Sequence, residues 1–145
     1  MMAYALYAEH VLYLEPCPLC VFQRMATIGL GIAFLLAALH NPSGTGGRYL
    51  YTGLIAVTAL AGVGVAGRHV WLQNLPADKV PACGPGFSYI LDSFPLADAL
   101  KMIFTGSGEC ASIDWSFLGL SMPAWVVISL AALGAFGLWN NLRRA

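Results

Sequence analysis

Three apolar stretches set the terms on which this chain can fold. Val21 to His40 is apolar after Arg24, and Tyr49 to Ala66 and Leu118 to Trp139 carry no charge at all. Each is long enough to cross a bilayer as a helix, which takes roughly 17–25 such residues. Packed as the core of a soluble domain, three runs of this kind would need far more protein around them than 145 residues supply. Composition agrees. Hydrophobic residues make up 59% and charged residues 10%, against roughly 25% charged in soluble domains, and the mean hydropathy is +0.72. The length suits a single domain. The net charge is zero and no basic run is present, which argues against nucleic-acid binding.

Met1 to Leu14 is apolar apart from Glu9 and His10. A helix of that length reaches only about 21 Å, short of the ~30 Å hydrocarbon core. Without a basic start or a small-residue cleavage site, the segment does not read as a signal peptide. It reads as the outer half of a fourth spanning helix. The predicted fold is therefore all-α: a polytopic membrane four-helix bundle with a shortened first helix. Its spans fall at about 1–14 (partial), 21–40, 49–67 and 118–139.

Charge orients the spans. Loop 41–48 and tail 140–145 carry Arg48, Arg143 and Arg144 and no acid. Loops 15–20 and 72–117 carry Glu15, Asp78, Asp92, Asp98, Glu109 and Asp114 against Lys79 and Lys101. Basic loops stay in the cytoplasm, so Cys17, Cys20, Cys83 and Cys110 are all expected outside, in the oxidising space of a bacterial inner membrane. Trp71, Trp115, Trp125 and Trp139 lie towards the ends of spans, where indoles anchor at the interface. Prolines and glycines predict an irregular start to the long outer loop. Ser93-Phe-Pro95 then reads as a helix start. Leu96 to Phe104 puts Leu96, Leu100, Ile103 and Phe104 on one face, as a surface amphipathic helix does. The TGSG stretch from Thr105 to Gly108 reads as a hinge leading into Cys110.

The chemistry lies in EPCPLCVFQR, from Glu15 to Arg24. Tetrahedral zinc needs a second ligand pair to match Cys17 and Cys20, and Cys83 and Cys110 stand too far apart in the sequence to form a second C-x-x-C. A c-type haem needs histidine after the second cysteine, and Val21 is there instead. A structural staple suits Cys83 and Cys110, since closing a long loop stabilises by a few kcal/mol. It suits Cys17 and Cys20 poorly, because a two-residue gap closes almost no chain entropy. A redox dithiol remains. With a span beginning near Cys20, that sulfur sits at a helix N-terminus, which favours an anion. Arg24 follows one turn deeper on the same face. A cation at the edge of the hydrocarbon is a functional-site candidate, with snorkelling to headgroups as the plain alternative. Arg68 and His69 end the third predicted span at the same depth, and His69 is placed to hydrogen-bond a carbonyl bound there. His10 and His40 have no comparable company. No Rossmann glycine pattern or haem ligand pair offers an electron acceptor, which leaves a lipid-dissolved quinone by elimination. The residues alone describe a membrane dithiol oxidase.

EPCPLCVFQR, the RHVWLQ stretch from Arg68 to Gln73, and GECASIDWSFLGLSMPAW from Gly108 to Trp125 together resemble the DsbB family of bacterial disulfide bond formation proteins, over essentially the whole chain. That family works in a relay of thiol oxidase, membrane protein and quinone that keeps the periplasm oxidising. The resemblance implies that Cys17 and Cys20 are the membrane-proximal redox pair, with Cys20 meeting the quinone. It implies that Arg24 and His69 bind the quinone, and that Cys83 and Cys110 are a second, loop-borne pair. Cys83 would form the mixed disulfide with a periplasmic DsbA-type thiol oxidase. The quinone, ubiquinone or menaquinone, would be the cofactor. The shortened first span departs from the family pattern. The rival readings are a vitamin K epoxide reductase-like enzyme, whose cysteine pattern this chain resembles less, and a non-enzymatic scaffold with a stapled outer loop. Four cysteines allow three pairings, and the sequence leaves all three open.

Overall fold

The computed structural model describes residues 2–13, 17–76, 78–81, 87–106, 108–113 and 115–143. Cys83, Ser107 and Arg144 lie outside the described residues, so the expectations that rest on them do too.

Helix α1 (Met2–His10) has nine residues. α2 (Pro18–His40), α3 (Thr45–Gln73) and α6 (Met122–Arg143) are each long and apolar enough to cross a membrane. The protein is thus an all-α, polytopic membrane protein. α3 lies between α2 and α6 and packs on both. Leu30, Ala33, Ile55, Ala59 and Leu130 form the core of this three-helix unit, while Leu39, Val57, Leu60 and Phe136 point outward, as lipid-facing side chains do. Small residues let the backbones approach, because membrane helices associate by close packing rather than by a hydrophobic drive. A Cβ on Gly134 would lie 2.7 Å from the Cβ of Ala59, and one on Gly137 would lie 2.7 Å from the ring of Phe34.

Each long helix is bounded by local chemistry. Pro18 opens α2 in the first turn, where its missing N–H costs nothing. Asn41 closes it in the left-handed conformation and returns its N–H to the Ala37 carbonyl. The helix therefore begins at Pro18, ahead of the apolar run at Val21 that predicts it. α6 begins at Met122, later than the apolar run at Leu118, because Ser116–Phe117 and Leu120–Ser121 pair as an antiparallel hairpin, β1 and β2. Leu118 (φ 52°) and Gly119 (φ 78°) form its turn, the doubly positive geometry of tight hairpins. The Trp125 indole donates to the Phe117 carbonyl at 3.0 Å and ties the hairpin to α6.

α3 is 29 residues long, about 43 Å, and so overshoots a ~30 Å hydrocarbon layer. Its C-terminal end carries the long loop that leads to α6. There α4 (Phe87–Ser93) and α5 (Leu96–Thr105) pack through Ile90, Ala99 and Ile103, with Phe22 of α2 beneath them. The amphipathic helix is present, but it buries Ala99 and Ile103 and leaves Leu96 and Phe104 exposed. Arg68 of α3 donates to the Phe104 carbonyl at 3.3 Å and the Thr105 carbonyl at 3.1 Å, satisfying open acceptors at the end of α5. It also lies over the Trp71 ring. Beyond α5, a short 3₁₀ turn (Gly108–Ala111) bears Cys110.

Candidate functional site

The start of α2 brings its two sulfurs together. Cys17 is the N-cap, and its sulfur accepts the Cys20 backbone N–H at 3.3 Å. The Cys17 thiol donates to the Cys20 sulfur at 2.7 Å. The helix-terminus sulfur of the sequence reading is therefore Cys17 at the cap, with Cys20 one turn in. Cys17 is 8% exposed, and Cys20 is the more open of the two.

The third cysteine arrives from the far part of the long loop between α3 and α6. Cys110 is fully buried and packs with Cys17, Leu19 and Leu72, and its thiol hydrogen-bonds that of Cys17. Both neighbours and burial act in one direction. The bond to Cys110, then the bond to Cys20, then desolvation push the Cys17 thiol well above the usual thiol range. Cys17 is thus the hub of the cluster, within reach of two sulfurs with which it could exchange.

His69 completes the site from α3. Its Nε2 lies 3.9 Å from the Cys17 sulfur, and its Nδ1 lies 2.8 Å from the Gln23 amide nitrogen. Gln23 and His69 are the buried polar pair of the described core, 5% and 3% exposed. A ligand atom each from Cys17, Cys20 and His69 falls within 4.8 Å of the others, a grouping that could hold a metal ion. With the Gln23 amide nitrogen as donor, Nδ1 is the acceptor, and a neutral ring in that arrangement carries its proton on Nε2, towards the sulfurs.

Arg24 takes a different direction. Its guanidinium forms an ion pair with Glu9 and donates to the Ala5 carbonyl at 3.1 Å, so it faces α1. An intramembrane cation needs a partner, and the partner is an acid from the segment before the cysteines. His40, as expected, stands apart, bonded to the Tyr51 hydroxyl at 2.9 Å.

Sequence reasoning thus missed Gln23, Glu9 and the meeting of Cys110 with Cys17. Gln23 stands three positions after Cys20, on the same helical face, which was the signal available for it.

The chain is similar over nearly its full length to known proteins. A family profile described as Disulfide bond formation protein DsbB matches residues 1–140. Disulfide bond formation protein B of Nitrosococcus oceani is 52% identical over 140 residues, covering 97% of this chain and 82% of that protein. The protein of the same name from Saccharophagus degradans is 52% identical over 141 residues, 97% of this chain and 84% of that protein. That of Methylococcus capsulatus is 50% identical over 146 residues, 99% of this chain and 88% of that protein.

Proposed function

This chain belongs to the DsbB family of disulfide bond formation proteins, and from that premise we propose that it reoxidises a periplasmic DsbA-type thiol oxidase and passes the electrons to a membrane quinone. Its place is the bacterial inner membrane, with the cysteines on the periplasmic side. The observation that carries this reading is Cys110, a loop cysteine seated against the Cys17 thiol.

The relay follows from that seat. A thiolate of the reduced partner attacks Cys83 of a Cys83–Cys110 disulfide, and Cys110 leaves as thiolate. Cys110 attacks Cys17 of an oxidised Cys17–Cys20 pair, forming Cys17–Cys110 and releasing Cys20 as thiolate. The partner's second thiol then displaces Cys83, and the partner departs oxidised. Cys83 attacks Cys110, the loop disulfide re-forms, and Cys17 is released. Two electrons now rest on Cys17 and Cys20. Each step is a thiolate attack along the disulfide axis, which needs the sulfurs adjacent and the attacker ionised.

The donor set suits a quinone. Cys20 is the more accessible sulfur of its pair, and the N–H of His69 lies beside it. Arg24 sits one turn below, held by Glu9. Arg24 and His69 would hold the carbonyl oxygens of a bound quinone, which supplies a two-electron, two-proton acceptor. Burial of the Cys17–Cys110 contact keeps water from the exchanging sulfurs.

The test is quinone reduction by the purified protein in detergent, driven by a reduced thioredoxin-like donor. Cys20→Ser is expected to abolish turnover, and Arg24→Ala to weaken it at limiting quinone. No turnover by the intact chain, with its thiols accessible, would overturn the reading. If quinone binding were absent too, a stapled scaffold would take its place.

A further inference from the structure

Every atom that fixes what His69 can do belongs to Gln23. The imidazole Nδ1 is 2.8 Å from an amide nitrogen that has no lone pair to offer. Nδ1 therefore accepts, Nε2 keeps its proton, and Nε2 is the nitrogen that faces the sulfurs, 3.9 Å from that of Cys17 and within 4.8 Å of both members of the pair. The neighbouring charges are engaged elsewhere: Arg24 by Glu9 and Ala5, Arg68 by the carbonyls of Phe104 and Thr105.

We propose that Gln23 is a positioning residue that holds neutral His69 in its Nε2–H tautomer, so that, while no quinone carbonyl takes that N–H, His69 donates to the thiolate of the reduced Cys17–Cys20 pair and cannot withdraw a proton from it. The inference rests on the reading that this pair cycles. Glutamine is suited to the task in a way its near-isosteres are not. Glutamate at position 23 would accept from Nδ1–H, leaving Nε2 bare or driving the ring to imidazolium. Leucine would leave the tautomer unset. With Gln23, the thiolate gains a charge-assisted hydrogen bond, and the proton lost from the thiol must leave by another route.

The test reads the tautomer directly. His10→Gln and His40→Gln leave His69 as the sole histidine of the full-length chain, which is ¹⁵N-labelled at histidine, reduced and held in detergent. Nitrogen NMR is expected to show an unprotonated Nδ1 and a protonated Nε2. Gln23→Glu, nearly the same shape, is expected to protonate Nδ1. Followed across a pH series, alkylation of the reduced pair is expected to have its midpoint moved up by about one pH unit in Gln23→Leu, as loss of one hydrogen bond to a charged sulfur does, with no further rise when His69→Ala is added. A protonated Nδ1 in the Gln23 protein would overturn the proposal. So would an alkylation midpoint indifferent to Gln23→Glu and Gln23→Leu. Neither readout needs turnover, so a failure of the quinone reading is distinguished from a failure of this one.

Discussion

At the scale of single residues, the cysteines are separated by role before any chemistry occurs. Cys17 donates its proton to the Cys20 sulfur, is held protonated by its two sulfur neighbours and by burial, and has little surface. Limiting iodoacetamide added to the reduced protein is therefore expected to label Cys20 before Cys17, as peptide mass mapping would show. The order should narrow in Cys110→Ser, since Cys110 is the first of the influences that raise the Cys17 thiol. The Cys17–Cys20 pair was legible in the sequence, because a two-residue gap at a helix start leaves few uses. Its neighbours were not. Gln23 carries no charge to draw notice between Phe22 and Arg24. Glu9 meets Arg24 only because α1 comes within reach of α2, which no local spacing encodes.

At the scale of helices, packing depends on residues too small to hold one another apart. The Ala59 Cβ facing Gly134 is fixed to its backbone, so any added side chain must push α3 from α6. Gly134→Val is expected to destabilise by about 1–3 kcal/mol, the usual cost of overpacking. Gly64, with open space around it, is the control, and Gly64→Ala should be near neutral or slightly stabilising. Thermal unfolding in detergent compares them. The first helix is a different case. Arg24 holds it by one ion pair and one bond to a carbonyl. Glu9→Gln is expected to speed hydrogen exchange across residues 2–10 several-fold while leaving the centre of α3 unchanged. Hydropathy placed the three long helices, since the bilayer's demand is simple. It misplaced the start of α6, because Leu118 and Leu120 are apolar enough to join the run, and only the tight turn at Leu118-Gly119 sets them apart.

At the scale of the whole molecule, three helices able to cross a membrane and the charge pattern make one testable topological prediction. Taken in series, they would put the short loop before α3 and the end of α6 on one side and the cysteine cluster on the other. A single cysteine placed at Ser43, in a chain whose native cysteines are serine, should react with a membrane-impermeant maleimide only after intact spheroplasts are permeabilised. A native Cys20 kept alone should react without permeabilisation. The opposite pattern would reverse the orientation, and labelling of both from one side would break the series of spans. Loop charge is local information, so the sequence can predict an orientation for these helices. It could not supply the meeting of Cys17 with Cys110, which depends on how the long outer loop folds back over the end of α3.

That return path has a mechanical side. The Gln73 amide donates to the Ser112 carbonyl at 3.3 Å, just beyond Cys110. An extended chain covers at most about 3.6 Å per residue, so this tether gives Cys110 a leash of roughly 7 Å while the bond holds. A sulfur on so short a leash cannot travel out to meet a visiting protein. It can only turn between neighbours.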